Sequence, residues 1–218
     1  MYDNPAESQW DLLAPYGFQD SLQIDWIEGE DPAEIAVRMG LDPASRAHCD
    51  LGDAVAITHK FPLKDNIWIG HHSPGWVCAL GMFGTVPYVD LGQGGRRFTL
   101  SYHTEYGFGG FTLWKGSELA GEFGSDAIVD GELPAIFERY GSGLGVPSSE
   151  SSRGFEIPRF PLGMESNDGS HGGRGLWPRD EAENLEVLLS VAGRIVGRFI
   201  DRAMLSETRM LYFNQEVI

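Results

Sequence analysis

Residues 96–123, RRFTLSYHTEYGFGGFTLWKGSELAGEF, contain the pattern that decides the fold. Within 96–104, apolar and aromatic side chains alternate with polar ones, as they do on a strand with one buried face. The apolar set is Phe98, Leu100 and Tyr102, and the polar set is Arg97, Thr99, Ser101 and His103. Two further strands, 108–115 and 118–123, follow after glycine-containing turns. Links this short exclude helical crossovers, so these strands should pair antiparallel.

Similar short segments, rich in β-branched and aromatic residues, occur earlier in the chain. They are 53–59, 66–71 and 75–83, and Gly or Pro turns separate several of them. Together the segments predict an α+β fold with an antiparallel meander of about five or six strands, buried on one face. Short N-terminal helices and one long C-terminal helix should cover that face.

The clearest helix signal is at 31–40, where Asp31 can cap the helix, Pro32 suits its first turn and Gly40 suits its end. Apolar residues at helical spacing predict a preceding helix at 19–28. Further helices are expected at 132–140 and, as one long amphipathic segment, at 180–205. The tail 209–218 could add an edge strand.

Composition divides the chain into three parts. Residues 1–140 should form the α+β core, and 180–218 should pack on it as a helix and tail. Between them, 141–179 is rich in Gly, Ser, Pro and Arg and is longer than most loops, so it is either a lid or a linker.

The chain is strongly acidic. Its 218 residues carry 16 Lys and Arg against 32 Asp and Glu, a formal net charge of −16, and −14 of this lies within 1–150. This balance argues against nucleic acid or an anionic membrane as partner, and favours a basic protein. No apolar stretch is long enough to span a bilayer, and no signal peptide is evident, so we expect a cytoplasmic protein.

One region resembles a known family. The stretch 28–36, EGEDPAEIA, leads through Arg38-Met39-Gly40, and Gly75-Trp76-Val77-Cys78-Ala79-Leu80 follows. This layout, with Phe108 to Phe123 as a closing hairpin, resembles an actinobacterial domain family of unknown function over about residues 20–140. In that family an acidic residue often follows the Gly-Trp strand, where this chain has Leu80-Gly81-Met82. The resemblance implies the fold and a bacterial origin, but no chemistry.

The sequence contains no self-consistent catalytic or metal-binding motif. Adjacent His71 and His72 should point to opposite faces of a strand, Cys78 lies in an apolar strand, and no metal-ligand spacing is present. We therefore predict no metal and no cofactor. If the protein is an enzyme, the candidate acid–base groups are His71, His72, His103 and Glu105.

Aromatic side chains beside the polar face of 96–104 form a candidate binding surface. They are Trp76, Tyr102, Tyr106 and Trp114. Exposed aromatics often anchor protein partners, although half of these rings could instead lie in the core under the long helix.

These observations favour a non-catalytic protein-binding module, an accessory or immunity-type protein that captures a basic partner. The alternative is an enzyme or small-molecule binder of specialised metabolism, with a pocket between the sheet and the 141–179 loop as lid. A third possibility is a structural subunit that oligomerises through the 209–218 tail.

Overall fold

The computed structural model describes residues 4–60, 66–82, 85–89, 92, 95–103, 107–123, 130–144 and 181–213. The described strands are β1 (Ser21–Glu28), β2 (Arg46–Cys49), β3 (Asn66–Ser73), β4 (Trp76–Met82), β5 (Arg96–His103), β6 (Gly107–Lys115), β7 (Glu118–Phe123) and β8 (Arg209–Tyr212). The described helices are α1 (Gln9–Leu13), α2 (Pro32–Arg38), α3 (Leu51–Lys60), α4 (Leu133–Tyr140), α5 (Glu181–Val196) and α6 (Arg202–Ser206).

The described strands form one antiparallel sheet in the order β2-β8-β3-β4-β1-β5-β6-β7. The mixed α+β class and the antiparallel pairing are confirmed. The prediction of a five- or six-stranded meander was wrong, because eight strands are present and β1 lies between β4 and β5. The first strand in the sequence therefore occupies the middle of the sheet.

Both faces of β1 are buried. Its residues Leu22, Ile24 and Trp26 point to the face covered by α1, α3, α4, α5 and α6, which we call the five-helix face. The opposite side of the same strand carries Asp25 and Ile27. This second side packs in part against α2 and segment 85–89, and we call it the α2 face.

The prediction of a helix at 19–28 was wrong for this reason. Leu22, Trp26 and Ile27 suit helical spacing, but Leu22, Ile24 and Trp26 also follow the two-residue period of a strand. A strand at the centre of a sheet is apolar on both sides, and its alternation is therefore hard to see in the sequence.

The prediction of a strand at 53–59 was also wrong, because this segment lies in α3. The Asp50 side chain accepts a hydrogen bond from the Asp53 amide at 2.9 Å, which caps the helix. Leu51, Ala54 and Thr58 are its buried residues and share one helical side. The β-branched residues of this segment favour a strand, and nothing in that pattern indicates that Asp50 caps a helix here.

The predicted helices at 31–40 and 132–140 correspond to α2 and α4, and α2 has the expected cap: Asp31 accepts from the Ala33 amide at 2.8 Å. The single helix predicted at 180–205 is instead α5 and α6, because the chain takes a left-handed conformation at Gly197 (φ 81°). The tail contains β8, but β8 pairs with both β2 and β3 and so is not an edge strand.

The predicted loop at 141–179 lies outside the described residues from 145 onward. Among the described helices, none combines the length and the apolar character needed to cross a membrane.

Candidate functional site

A group of exposed apolar side chains lies on the α2 face at the β6–β7 end of the sheet. The Tyr88 and Trp114 rings meet edge to face with centroids 5.9 Å apart. Leu119 is the β7 residue paired with Trp114. Tyr88 and Leu119 are each 47% exposed, and Val37 on α2 is the one other large apolar side chain this exposed within the described ranges. Exposed apolar residues that cluster, unlike isolated ones, typically mark an interaction surface.

Polar neighbours fix the Trp114 ring and border it with negative charge. The Trp114 indole N–H donates to the Thr112 hydroxyl at 3.2 Å, and the exposed Glu122 pairs with Thr112 across β6 and β7. We call Tyr88, Thr112, Trp114, Leu119 and Glu122 the Trp114 patch. It combines aromatic rings, one aliphatic side chain and a carboxylate on a strand framework.

The β6–β7 end of the sheet is acidic. Lys115, the nearest lysine in the sequence, has its ammonium group 2.6 Å from the Glu132 carboxylate. Exposed acidic side chains at this end are Glu118, Glu122, Asp130, Glu132 and Glu138. Glu122 shares the α2 face with Trp114, whereas Glu118 pairs with Lys115 on the other face and Glu132 and Glu138 belong to the α4 side of the sheet. Charge of one sign beside an apolar patch attracts a partner of the opposite sign.

The outer edge of β7 is occupied by its own chain. The Asp130 amide donates to the Glu122 carbonyl at 3.0 Å, and the Glu132 amide donates to the Ala120 carbonyl at 2.9 Å. A partner could not add a strand here without breaking these bonds. The face of the sheet, and not this edge, is therefore the available surface.

A buried ion pair lies next to the Trp114 patch. Arg97 on β5 pairs across the sheet with Trp114, and its Nη2 lies 2.5 Å from Oδ2 of Asp25 on β1. Asp25 is completely buried and Arg97 is nearly so. No described group donates a hydrogen bond of good geometry to either Asp25 oxygen, and the Arg97 Nε and the Thr99 hydroxyl also lack partners there. The pair is thus poorly solvated by the protein.

Burial dominates the electrostatics of this pair. It raises the pKa of the Asp25 carboxyl to about 6, although Arg97, Thr99 and Gln23 act in the opposite direction. Arg97 also places its guanidinium 5.8 Å from the centre of the Tyr88 ring. The ion pair therefore contacts Tyr88, the exposed aromatic side chain of the Trp114 patch.

A second polar cluster lies on the five-helix face, where the end of α5 meets β3. The buried His72 donates from Nε2 to the Arg198 carbonyl at 2.8 Å, and Arg198 returns a hydrogen bond to the His72 carbonyl at 3.1 Å. Burial lowers the pKa of the His72 imidazole to about 4, so this side chain is neutral at pH 7. Its contacts attach the end of α5 to the sheet.

Arg209 completes this second cluster. Its guanidinium donates to Glu207 at 2.9 Å and lies 4.8 Å from the centre of the Trp68 ring. A Cβ at Gly70 would come within 2.7 Å of the Arg209 side chain, so the glycine makes room for the arginine. These contacts are structural, since they join β3, β8 and the segment around α6.

The candidate acid–base residues are not brought together. His71 is exposed on the α2 face, whereas the adjacent His72 is buried on the other face. His103 lies on β5, and β4 and β1 separate it from β3, a distance of at least about 14 Å. Glu105 lies outside the described residues.

The candidate binding aromatics divide between the two faces. Trp76 and Tyr102 are buried in the core of the five-helix face, where Trp76 packs on Phe98 and Tyr102 meets Trp10. Trp114 is partly buried on the α2 face, and Tyr106 lies outside the described residues. The sequence did not identify Tyr88 or Leu119, because nothing local indicates that β1 separates β4 from β5 or where segment 85–89 lies.

Within the described residues, no group of three or more His, Cys, Asp or Glu side chains is placed to hold a metal ion. Comparison of the chain with family models, with curated proteins and with solved structures gave no match. The resemblance to an actinobacterial family stays a prediction, and function must be argued from the chain's own surface.

Proposed function

We propose that this protein is a non-catalytic binding module, of the accessory or immunity type, that captures a basic protein in the cytoplasm. The single observation that carries the proposal is the Trp114 patch, where the exposed Tyr88 and Leu119 side chains flank the partly buried Trp114 ring beside the Glu122 carboxylate. Trp and Tyr are the side chains most often responsible for binding energy at protein interfaces.

Charge selects the class of partner. The net charge of −16 and the acidic side chains at the β6–β7 end of the sheet favour a partner with a basic surface. Apolar contact with Trp114 would supply short-range affinity, while Glu118 and Glu122 would increase the rate of association. A cation of the partner could also lie over the Trp114 ring.

The test is affinity capture at low salt from the cytosol of the cells that produce the protein. Wild type, Val37→Ala and Trp114→Ala are each immobilised as bait. Wild type and Val37→Ala should retain the same basic protein, and Trp114→Ala should lose it. Val37 is the matched control because it is 57% exposed and lies on α2, outside the patch.

Retention must then be reproduced with the purified partner. Equal affinity of wild type and Trp114→Ala for that partner would refute the proposed surface. Binding that is insensitive to salt would refute the electrostatic selection of the partner.

A further inference from the structure

Segment 85–89 covers the Asp25–Arg97 pair. Val86 and Val89 are buried in the same cluster as Ile27 and Ala79, which are the neighbours of Asp25 along β1 and across to β4. Tyr88, from the same segment, lies over the Arg97 guanidinium. Under this cover Asp25 is 0% exposed and Arg97 is 5% exposed.

Hydrogen bonds at the long end of the normal range contribute to holding the segment to the sheet. The Gln23 side-chain amide donates to the Val86 carbonyl at 3.3 Å, and the Tyr88 hydroxyl donates to the Gly116 carbonyl at 3.3 Å. Beneath it, the ionised Asp25 carboxylate has the Arg97 contact but no well-aligned hydrogen bond from any described group. An ionised carboxylate gains from hydration, whereas a neutral carboxyl group loses little when it stays buried.

We propose that Asp25 is a proton-controlled latch for the Trp114 patch: segment 85–89 is held tightly when Asp25 is neutral and loosens when Asp25 is ionised. This regulation rests on the proposed binding function, because each opening of the segment displaces Tyr88 from Trp114. The closed form stays the major one at neutral pH, and protonation of Asp25 lowers the small fraction of open molecules further.

The groups that face Asp25 are few. On the α2 face they are Arg97 and Thr99 from β5 and Gln23 from β1, with Tyr88 beyond Arg97. Asp25 also interacts electrostatically with the Cys78 thiol of β4, which lies on the other face. His103 pairs with Ser21, four residues along β1 and about 13 Å away.

The sign of the effect follows from linkage. The pKa of Asp25 is about 6 with the segment closed, against an ordinary value of 3.8 when hydrated, so protons bind more tightly to the closed state. The opening equilibrium constant of segment 85–89 should then be about tenfold smaller at about pH 5 than at about pH 7.5.

The experiment is amide hydrogen exchange of the whole chain, without any partner, followed in peptides that contain 85–89 and corrected for intrinsic exchange rates. In wild type, protection of this segment should rise about tenfold from about pH 7.5 to about pH 5. In Asp25→Asn it should be the same at the two pH values. His103→Gln, which removes another titratable group from this face, should behave as wild type.

The proposal is overturned if protection in wild type does not change, if the change persists in Asp25→Asn, or if His103→Gln abolishes it. Should Asp25→Asn not fold, the carbon-13 titration of the Asp25 carboxyl in wild type decides, since its midpoint must coincide with that of the exchange. No partner is present in the exchange experiment, so its failure would overturn the latch but not the binding surface. Failure of the binding test of Trp114→Ala would overturn the binding surface but not the movement of segment 85–89.

Discussion

The two faces of the central sheet both bury charged or titratable groups, but they differ in how these groups are supported. On the five-helix face, His72, Arg198 and Arg209 exchange hydrogen bonds with backbone carbonyls and with Glu207, although His72 Nδ1 and the Nε and Nη1 atoms of Arg209 have no partner among the described residues. On the α2 face, Asp25 and Arg97 rely on the contact with each other, and the other groups that favour the ionised Asp25 are Thr99 and Gln23. The first arrangement joins elements of the fold, and the second lies next to the exposed patch.

This difference gives the two faces opposite responses to pH. Burial lowers the pKa of His72 to about 4, so its contribution to stability is present above about pH 6.5 and is lost as pH falls towards 4. Burial raises the pKa of Asp25 to about 6, so the cost of its ionisation grows as pH rises from 3.8 to 6. Between about pH 4 and about pH 6, a rise in pH therefore increases the stability of the fold through His72 and decreases it through Asp25.

The largest expected effect comes from breaking the poorly supported pair. Arg97→Met leaves the Asp25 carboxylate alone in the interior and should lower the free energy of unfolding by about 3–5 kcal/mol at neutral pH. The loss should be smaller near pH 5, where Asp25 becomes neutral. Urea unfolding of wild type and Arg97→Met at neutral pH and near pH 5 measures the loss of stability at each pH.

Two variants sharpen this result. The double change Asp25→Leu with Arg97→Met should restore stability to near wild type, because it leaves no unpaired charge. Arg209→Met should cost less than Arg97→Met, about 1.5–3 kcal/mol, because its partner Glu207 is partly hydrated. A larger cost at Arg209 than at Arg97 would contradict the comparison.

Separating the two titrations is the next test. Relative to wild type, the stability of Asp25→Asn should rise by about 2 kcal/mol from about pH 4 to about pH 6.5, because the unfavourable ionisation of Asp25 is absent. Over the same range, the stability of His72→Gln should fall relative to wild type by about 2 kcal/mol, because the gain from His72 is absent. Urea midpoints that move in the same direction in both variants would show that one of the two assignments is wrong.

Gly70 tests how closely the second cluster is packed. Gly70→Ala places a Cβ within 2.7 Å of Arg209 and should cost about 1–3 kcal/mol. Gly52→Ala is the control with the opposite expected sign, because Gly52 lies in α3 with only ordinary contacts and alanine favours a helix by about 0.5–1 kcal/mol. Thermal unfolding measures the change in stability of both variants. A Gly70→Ala protein as stable as wild type would mean that Arg209 moves freely.

The smallest effect on stability is expected at the Trp114 patch. Leu119→Ser should change the free energy of unfolding by no more than about 0.5 kcal/mol, because Leu119 is about half exposed on the surface of the sheet. It should nevertheless weaken partner binding. A large loss of stability would indicate that Leu119 serves the fold and not an interface.

The sequence predicts the fold class and the strands whose partners are close in the chain. The pattern around Phe98 identifies β5, and the capping signal at Asp31 identifies α2, because both depend on local geometry. The position of β1 depends on distant pairing with β4 and β5, which no local period records. For the same reason the sequence predicts Trp114 as a candidate binding aromatic but not Tyr88, whose place beside it results from the tertiary fold.

The most direct test of the proposed function is titration of the purified partner with wild type, Trp114→Ala and the double variant Glu118→Gln with Glu122→Gln. It is done at about 0.1 M and about 1 M salt, where the screening length falls from about 10 Å to about 3 Å. We predict that Trp114→Ala weakens binding equally at both salt concentrations, while the double glutamine variant weakens binding only at low salt. Full affinity of Trp114→Ala at both concentrations would contradict the account.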